Sequence, residues 1–328
     1  MTVKSDKAHA KIVESAGSPA ACLPSYNVTV LYAYSTDIDY DTYFAGASNI
    51  VYYAVGYTTL ANVRFDTKQE EEIEYHTNYT SLDASLNSHK PDPSLGYGDK
   101  TTGSNLYSVL KKFLYNGNVS LCGAQVYIAV KRYPDESDVS DLITQLQSNH
   151  VMVHIAVDSV PLGGSNSATL YEMSYETNGY CGFAAGSALQ YVFNWMTNTL
   201  SWPYQFFAQN FVVSGSGRIE IPAFKTPIPS GYQGACFFAI TVQNHTLDNS
   251  FGSVNYTVES TDGFVVMKFS SDYVADFNGT AQSFWSILNG SLSYKWTVDH
   301  HYKTNAPQII QLRMYSEYYH DFLPLPDF

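Results

Sequence analysis

Apolar positions along this 328-residue chain follow two rhythms, and the change between them falls near residue 203. In the first part, short continuous apolar runs alternate with stretches of helical spacing. Val28–Tyr34, Asn62–Asp66, Ile73–Tyr75, Val126–Val130, Val151–Val157 and Gly179–Ala184 read as strands. Helical spacing is predicted over Thr42–Val55, Asn105–Leu114, a segment from Leu142, Ala168–Glu176 and Ala188–Leu200, and Ser167 is a candidate N-cap for the fourth of these. Leu82–Asp99, rich in Pro, Gly, Ser and Asp, is expected to be a long loop. Unbroken apolar strands joined by helices imply an α/β domain with a mainly parallel, doubly wound sheet.

From about Gln205 the chain reads as strands and turns without helices. Phe206–Val213, Arg218–Ile221, Cys236–Val242, Val254–Glu259, Phe264–Phe269, Ser291–Val298 and Ile309–Tyr315 are predicted strands of an antiparallel sandwich. The division expected is a polar, flexible lead-in over 1–25, the α/β domain over 26–202 and the β-sandwich over 203–328.

Composition narrows the functional classes. The net charge is −13 and basic clusters are lacking, which disfavours nucleic acid, whose binding rests on neutralised phosphates. No apolar run approaches the ~20 residues of a membrane-spanning helix. Seven sequons (Asn27, Asn78, Asn118, Asn244, Asn255, Asn278 and Asn289) and an even set of cysteines (Cys22, Cys122, Cys181 and Cys236) suit the secretory route. Met1–Ala21 lacks an apolar signal core, so the expectation is an extracellular protein whose signal lies outside this chain. If Asn255 carries a glycan, Thr257 and Glu259 share its outer face, while Val254, Tyr256 and Val258 point into the core. Four cysteines allow three pairings. A Cys122–Cys181 bond is favoured because both flank buried strands, leaving Cys22 and Cys236 to tie the lead-in to the sandwich or to bond other chains.

An open α/β sheet gathers its chemistry at the carboxyl ends of its strands. Three segments are expected to meet there: Tyr34-Ser-Thr-Asp37, Gly103-Ser-Asn105 and Lys131-Arg132. The arrangement resembles the von Willebrand factor type A domain. In that family Asp-x-Ser-x-Ser, a Thr at a helix start and an Asp after the fourth strand coordinate a divalent cation. Here Ser35 matches a serine, Ala33 stands for the Asp and Asp37 for the last Ser, Ser104 takes the place of the Thr, and Arg132 replaces the final Asp. A hard cation needs oxygen ligands, and a permanently charged guanidinium repels it. The rim Ser35, Asp37, Ser104 and Arg132 is therefore expected to bind without metal or other cofactor. In this reading Arg132 pairs with Asp37, and the partner group, on a protein or a glycan, is acidic.

The wording of Lys131-Arg-Tyr-Pro-x-Glu-Ser-Asp138, Ser148-Asn-His150, Gly163-Gly-Ser-Asn166 and Thr177-Asn-Gly-Tyr-Cys181 resembles uncharacterised secreted nematode proteins. Those proteins pair a degenerate type A-like domain with a C-terminal β-rich one; the resemblance implies architecture and an extracellular location, and no activity.

Other constellations are weaker. Asp37-Ile-Asp-Tyr-Asp41 has calcium-loop spacing, but Thr42 and Ser48 stand where an EF-hand needs Gly and Glu, so a helix N-terminus is the expected reading. Asp299-His-His301 lies in a strand, which points adjacent histidines to opposite faces. Ser214-Gly-Ser-Gly217 has no helix after it to receive a phosphate and reads as a turn. No catalytic residue stands out. The sequence thus predicts a non-enzymatic, adhesion-type interaction protein, with a carbohydrate-binding or glycan-hydrolysing protein and a tyrosine-crosslinked matrix component as alternatives, the 28 tyrosines prompting the first and last.

Overall fold

The computed structural model of the protein describes residues 22–24, 28–117, 119–269 and 279–326. Strand β1 (Thr29–Ser35) is buried along its whole length. It sits inside a six-stranded sheet of order β3-β2-β1-β4-β5-β6, formed with β2 (Thr59–Phe65), β3 (Glu74–His76), β4 (Gln125–Val130), β5 (Met152–Asp158) and β6 (Cys181–Ala184). Neighbours run parallel throughout, except that β3 closes the edge antiparallel to β2. A parallel sheet must be covered on both faces, which is why its strands read as continuous apolar runs.

Six helices supply the cover: α1 (Tyr40–Tyr53), α2 (Tyr79–Ser88), α3 (Leu106–Leu114), α4 (Ser140–Ser148), α5 (Ala168–Glu176) and α6 (Ser187–Asn198). Alternate residues of β1 face opposite ways. Leu31 and Ala33 pack with Val109 and Leu110 of α3, Leu146 of α4 and Leu170 of α5. Val30, Tyr32 and Tyr34 pack with Ile50 of α1, Leu82 and Leu86 of α2, and Leu189 and Phe193 of α6. The α/β unit has the doubly wound, mainly parallel build that the apolar pattern predicts, and it is von Willebrand type A-like, as the resemblance implies.

One element of this unit departs from the sequence reading. Residues 79–88, expected within or beside a loop, form helix α2. Its apolar content is low, and only Leu82, Ser85 and Leu86 are buried. Asn78 starts it by accepting from the Ser81 amide at 2.9 Å, a cap that satisfies one of the orphan amides of the first turn.

The remainder is an antiparallel sandwich. One sheet has the order β11-β10-β13-β8, from β8 (Ser216–Lys225), β10 (Phe251–Ser260), β11 (Val265–Phe269) and β13 (Ser293–Tyr302). The other is β12-β9-β14-β7, from β7 (Tyr204–Val213), β9 (Gln233–Thr241), β12 (Ala281–Asn289) and β14 (Gln308–Ser316). Val254, Tyr256 and Val258 are buried and Asn255, Thr257 and Glu259 are half-buried on the other face, as the alternation along β10 requires. Strand β12 is the addition to the sequence reading; its outward Trp285 and Ile287 blur the period of two that would reveal it.

The two units share a core. Tyr127 and Tyr180 of the α/β unit pack in one cluster with Phe237, Ala239, Ala281 and Tyr315 of the sandwich. Phe183 and Thr280 exchange hydrogen bonds at 2.9 Å, backbone amide to carbonyl in one direction and backbone amide to hydroxyl in the other. Arg313 of β14 is fully buried at this junction, donating to the carbonyls of Asn178, Gly179, Gln209 and Leu312 and to Asn210 Oδ1. Nearby His154 is also fully buried, stacked on Tyr127 at 5.0 Å, with neither ring nitrogen hydrogen-bonded among the described residues. Burial, and then the positive charge of Arg313, push its pKa down to about 3.

The cysteines pair differently from the expectation. Cys22 bonds to Cys122, tying the segment before β1 to the turn before β4. Cys181 and Cys236 are buried free thiols. Cys181 opens β6 with its side chain in the core on which α5 packs, whereas Cys122 lies in the turn ahead of β4, already bonded to Cys22. Burial pushes both thiols up, Cys236 to about 12, so neither is a ready nucleophile.

Candidate functional site

The carboxyl ends of β1, β2 and β4 converge on a compact polar centre. Ser35 is the last residue of β1, and Asp66 directly follows β2. Arg132 lies two residues beyond β4, and Ser104 lies two residues before α3. Asp66 adopts a left-handed conformation (φ 64°), which a short polar side chain tolerates better than a bulky one. That turn lays its carboxylate between the two serines. Ser35 Oγ donates to Oδ2 at 2.6 Å, Ser104 Oγ donates to Oδ1 at 2.7 Å, and the Asn105 amide donates to Oδ1 at 3.2 Å. Asn105 Oδ1 in turn accepts from the Asp66 amide at 2.9 Å.

Beside this lies the ion pair. Arg132 Nε donates to Asp37 Oδ2 at 2.5 Å, and both side chains are almost wholly enclosed, at 1% and 3% exposure. The rest of the guanidinium is also occupied, Nη2 donating to the Asp99 carbonyl at 2.8 Å and Nη1 to the Thr102 carbonyl at 3.2 Å. The Tyr97 ring covers it at 5.4 Å. A Cβ on Gly163 would come within 2.6 Å of Nη1, so this wall closes because the residue is glycine. Gly164 (φ +71°) lets the same loop pass the Tyr133 carbonyl. Lys131 points elsewhere, donating to Asp158 Oδ2 at 2.6 Å and to the Val160 carbonyl at 2.8 Å.

All four rim residues named from the sequence thus meet, as two adjoining pairs of interactions. Asp37 and Arg132 form one, and Ser35 and Ser104 converge on Asp66 in the other. A partner's carboxylate would have to displace Asp37 to reach Arg132. Sequence reasoning missed Asp66. The available signal was its place immediately after β2, one strand from β1, where a parallel sheet also delivers side chains to the crevice.

A divalent cation fits this centre poorly. The hydroxyls that a type A site would aim at a metal are turned onto Asp66, and a fixed positive charge stands beside Asp37. Among the described residues, no group of three or more His, Cys, Asp or Glu could hold a metal ion.

Burial pushes the Asp66 carboxyl up to about 6, against the opposing donors Ser35, Ser104 and the Asn105 amide. Between 3.8 and 6 the folded protein keeps a proton that the unfolded chain has lost. Its contribution is therefore whole at low pH and fades as pH rises through 6, by about 3 kcal/mol in all. His154 works the other way, costing stability as pH falls below 6.5. The two slopes oppose each other over about pH 4–6, so the wild-type profile masks both. The difference between Asp66→Asn and wild type, from urea unfolding at pH 4 and 7, isolates the first. The variant should gain about 2.4 kcal/mol relative to wild type between those values, since a part of the contribution is already lost at pH 4. A difference that does not change with pH would refute the burial account.

The other sequence candidates resolve simply. Asp39 caps α1, accepting from the Thr42 amide at 2.8 Å, so the acidic run starts a helix. His300 is buried while its neighbour His301 is exposed, on opposite faces of β13. Asn78 is exposed, whereas Asn244, Asn255 and Asn289 are half-buried. Asn27, Asn118 and Asn278 lie outside the described residues.

The class these features define is a type A-like α/β unit joined to an antiparallel β-sandwich. Residues 209–317, within the sandwich, match a domain of unknown function, DUF7154. No curated protein sequence matches the chain. Among solved structures, the chain is similar to human COPII-coat protein Sec24c at 8% identity and TM-score 0.38, over 90% of this chain and 44% of that one. It is similar to a von Willebrand factor type A protein from Catenulispora acidiphila at 10% identity and TM-score 0.38, over 90% of this chain and 64% of that one. It is also similar to proximal thread matrix protein 1 from the mussel byssus, described with a zinc-occupied MIDAS motif, at 13% identity and TM-score 0.38, over 59% of this chain and 51% of that one. The chain thus spans less than two thirds of each of these proteins.

Proposed function

We propose that this is a secreted, glycosylated, non-enzymatic interaction protein whose type A-like centre works without a metal. The observation that carries this reading is the enclosed Arg132–Asp37 pair, which puts a guanidinium where a type A site gathers its cation ligands. With Ser35 and Ser104 committed to Asp66, the centre is a preformed, self-satisfied platform that holds the loops around it in one arrangement. Binding then belongs to the surface those loops and the neighbouring helices present. The disulfide between Cys22 and Cys122 supports an oxidising destination.

The test is thermal unfolding in EDTA and then in millimolar Mg²⁺, Mn²⁺ or Ca²⁺. A cation bound only by the folded state stabilises by mass action, about 2.7 kcal/mol at a hundredfold excess over its dissociation constant. No shift in midpoint is expected with any of the three. A rise that Ser104→Ala abolishes would overturn the metal-free reading.

A further inference from the structure

Helices α1 and α2 run side by side on one face of the sheet and leave a groove of about 550 Å³ between them. That is within the ~300–1,000 Å³ of small-ligand sites. Its walls follow from helical spacing. Along α1, Tyr40, Phe44, Ser48 and Tyr52 recur every four residues and share one stripe, and along α2 so do Tyr79, Asp83 and Asn87. Tyr43 and Leu86 form the floor, joined by a hydrogen bond from the Tyr43 hydroxyl to the Leu86 carbonyl at 2.6 Å. Tyr40 and Phe44 stack nearly parallel at 5.9 Å (interplanar angle 19°). Lys90 hangs over Tyr40 at 5.8 Å, so the helices are antiparallel and the Tyr40 end of α1 meets the far end of α2.

Four aromatic rings around this groove stand open to solvent: Tyr40, Phe44, Tyr52 and Tyr79, at 49, 54, 73 and 60% exposure. Many other aromatic rings of the α/β unit are used for packing, as with Tyr32, Tyr34, Tyr127 and Tyr180, all fully buried, and Tyr115 is exposed singly. Polar side chains are set among the open rings. The Asp83 carboxylate, the Ser48 hydroxyl and the Lys90 ammonium form no hydrogen bond or ion pair among the described residues. The groove therefore offers flat apolar faces, a strong acceptor, a strong donor and a near balance of charge.

From this combination we infer that the α1–α2 groove binds a neutral oligosaccharide, its sugar rings laid on the Tyr40–Phe44 and Tyr52–Tyr79 faces and its hydroxyls bonded to Asp83, Ser48, Asn87 and Lys90. A pyranose has apolar C–H faces that suit aromatic rings and a rim of hydroxyls that donate and accept. A lipid tail would bury Asp83 and Lys90 without partners, at a cost of several kcal/mol. A proline-rich peptide would also stack on the rings, but its prolines carry no N–H to give to Asp83. From Tyr40 to Tyr52 the helix rises about 18 Å, which suits a chain of sugars better than a single one. The groove also adjoins the centre described above, because Tyr40 follows Asp37 by three residues and the loop after α2 bonds back to Thr36 through Asp92. The inference names a ligand class for the interaction reading but uses none of its centre residues, so the two can fail separately.

The experiment titrates cellotetraose and chitotetraose into the disulfide-intact protein, followed by calorimetry and saturation-transfer NMR. It uses a Thr80→Ala background, which abolishes the sequon at Asn78 while keeping the helix cap, so that no attached glycan can enter the groove. Binding of at least one tetraose is expected, with transfer strongest to its ring C–H protons. Phe44→Ser combined with Tyr52→Ser should weaken it about tenfold or more, since each lost ring removes stacking as well as buried area. Both positions are exposed, and an unchanged melting midpoint will show that the fold persists. Asp83→Asn should weaken binding without altering the fold. Absence of binding by both sugars, binding untouched by the serine substitutions, or binding of a polyproline decapeptide in their place would each overturn the inference. A cation-dependent rise in midpoint would overturn the metal-free centre and leave this groove standing.

Discussion

Arg132→Met is expected to destabilise the protein by about 3–5 kcal/mol, the cost typical of removing one partner from a buried pair. The side chain occupies a site where everything around it is shaped to its charge. Its loss leaves the Asp37 carboxylate enclosed with no cation, and the Asp99 and Thr102 carbonyls without their donors. The penalty comes from what remains, not from a large net benefit of the pair, because two enclosed charges gain by attraction little more than they lose in hydration. A double-mutant cycle separates the two contributions. Asp37→Leu with Arg132→Met should recover most of the loss, since both charges then go together and the pocket is filled by apolar volume. Urea unfolding of the four proteins gives the result directly. A single substitution costing under about 1 kcal/mol would show that the pair behaves as an exposed one.

Arg313→Met is expected to cost about 3 kcal/mol or more and to divide one unfolding transition into two. Among the described residues Arg313 has no carboxylate partner, and its guanidinium is held by backbone carbonyls and one amide oxygen drawn from both units. Removing it takes the guanidinium from the carbonyls of Gly179 and Gln209, with a penalty of about 1–3 kcal/mol for each such group not rescued by water or another donor, while the Asn178 carbonyl keeps its bond from Gln205 Nε2. These acceptors lie on both sides of the junction, so the damage falls on the coupling between the units. Wild-type protein should give a single calorimetric peak, because Tyr127, Tyr180, Phe237 and Tyr315 belong to one core. The variant should give two peaks, with the α/β unit and the sandwich melting apart. One peak at a lower temperature would mean that the aromatic packing couples the units without Arg313.

The element pattern was legible because burial imprints itself on sequence. A strand covered on both faces has no polar alternation, and Val126–Val130 and Val151–Val157 announce β4 and β5 for that reason. Helix α2 was not legible, because a helix with three buried residues and a run of Ser and Asn gives almost no periodic signal. That omission also hid the groove, since one of its walls is α2. The site divides in the same way. Ser35, Asp37, Ser104 and Arg132 were recoverable from motif spacing, and the adjacency of Asp37 to Arg132 from charge. Asp66 was not recovered, because its role depends on a left-handed turn between two serines from distant segments. The Cys22–Cys122 pairing was equally hidden. Flanking a buried strand says that a cysteine is near the core, not which other cysteine its side chain can meet.

The disulfide also determines how the molecule bears load. Because Cys22 is bonded to Cys122, residues 23–121 form a closed covalent loop containing β1, α1, β2, β3, α2 and α3. Tension arriving through Cys22 therefore passes straight to the turn ahead of β4, and β1 cannot be peeled from the sheet by that pull. The tail beyond β14 returns to the same corner, with Phe322 stacked on His150 at 4.2 Å beside Gly123. A tether attached before Cys22 and another beyond Phe322 would thus both anchor at one end of the α/β unit. The opposite, carboxyl end of the sheet, with its closed Arg132 centre, would be presented outward and unstressed.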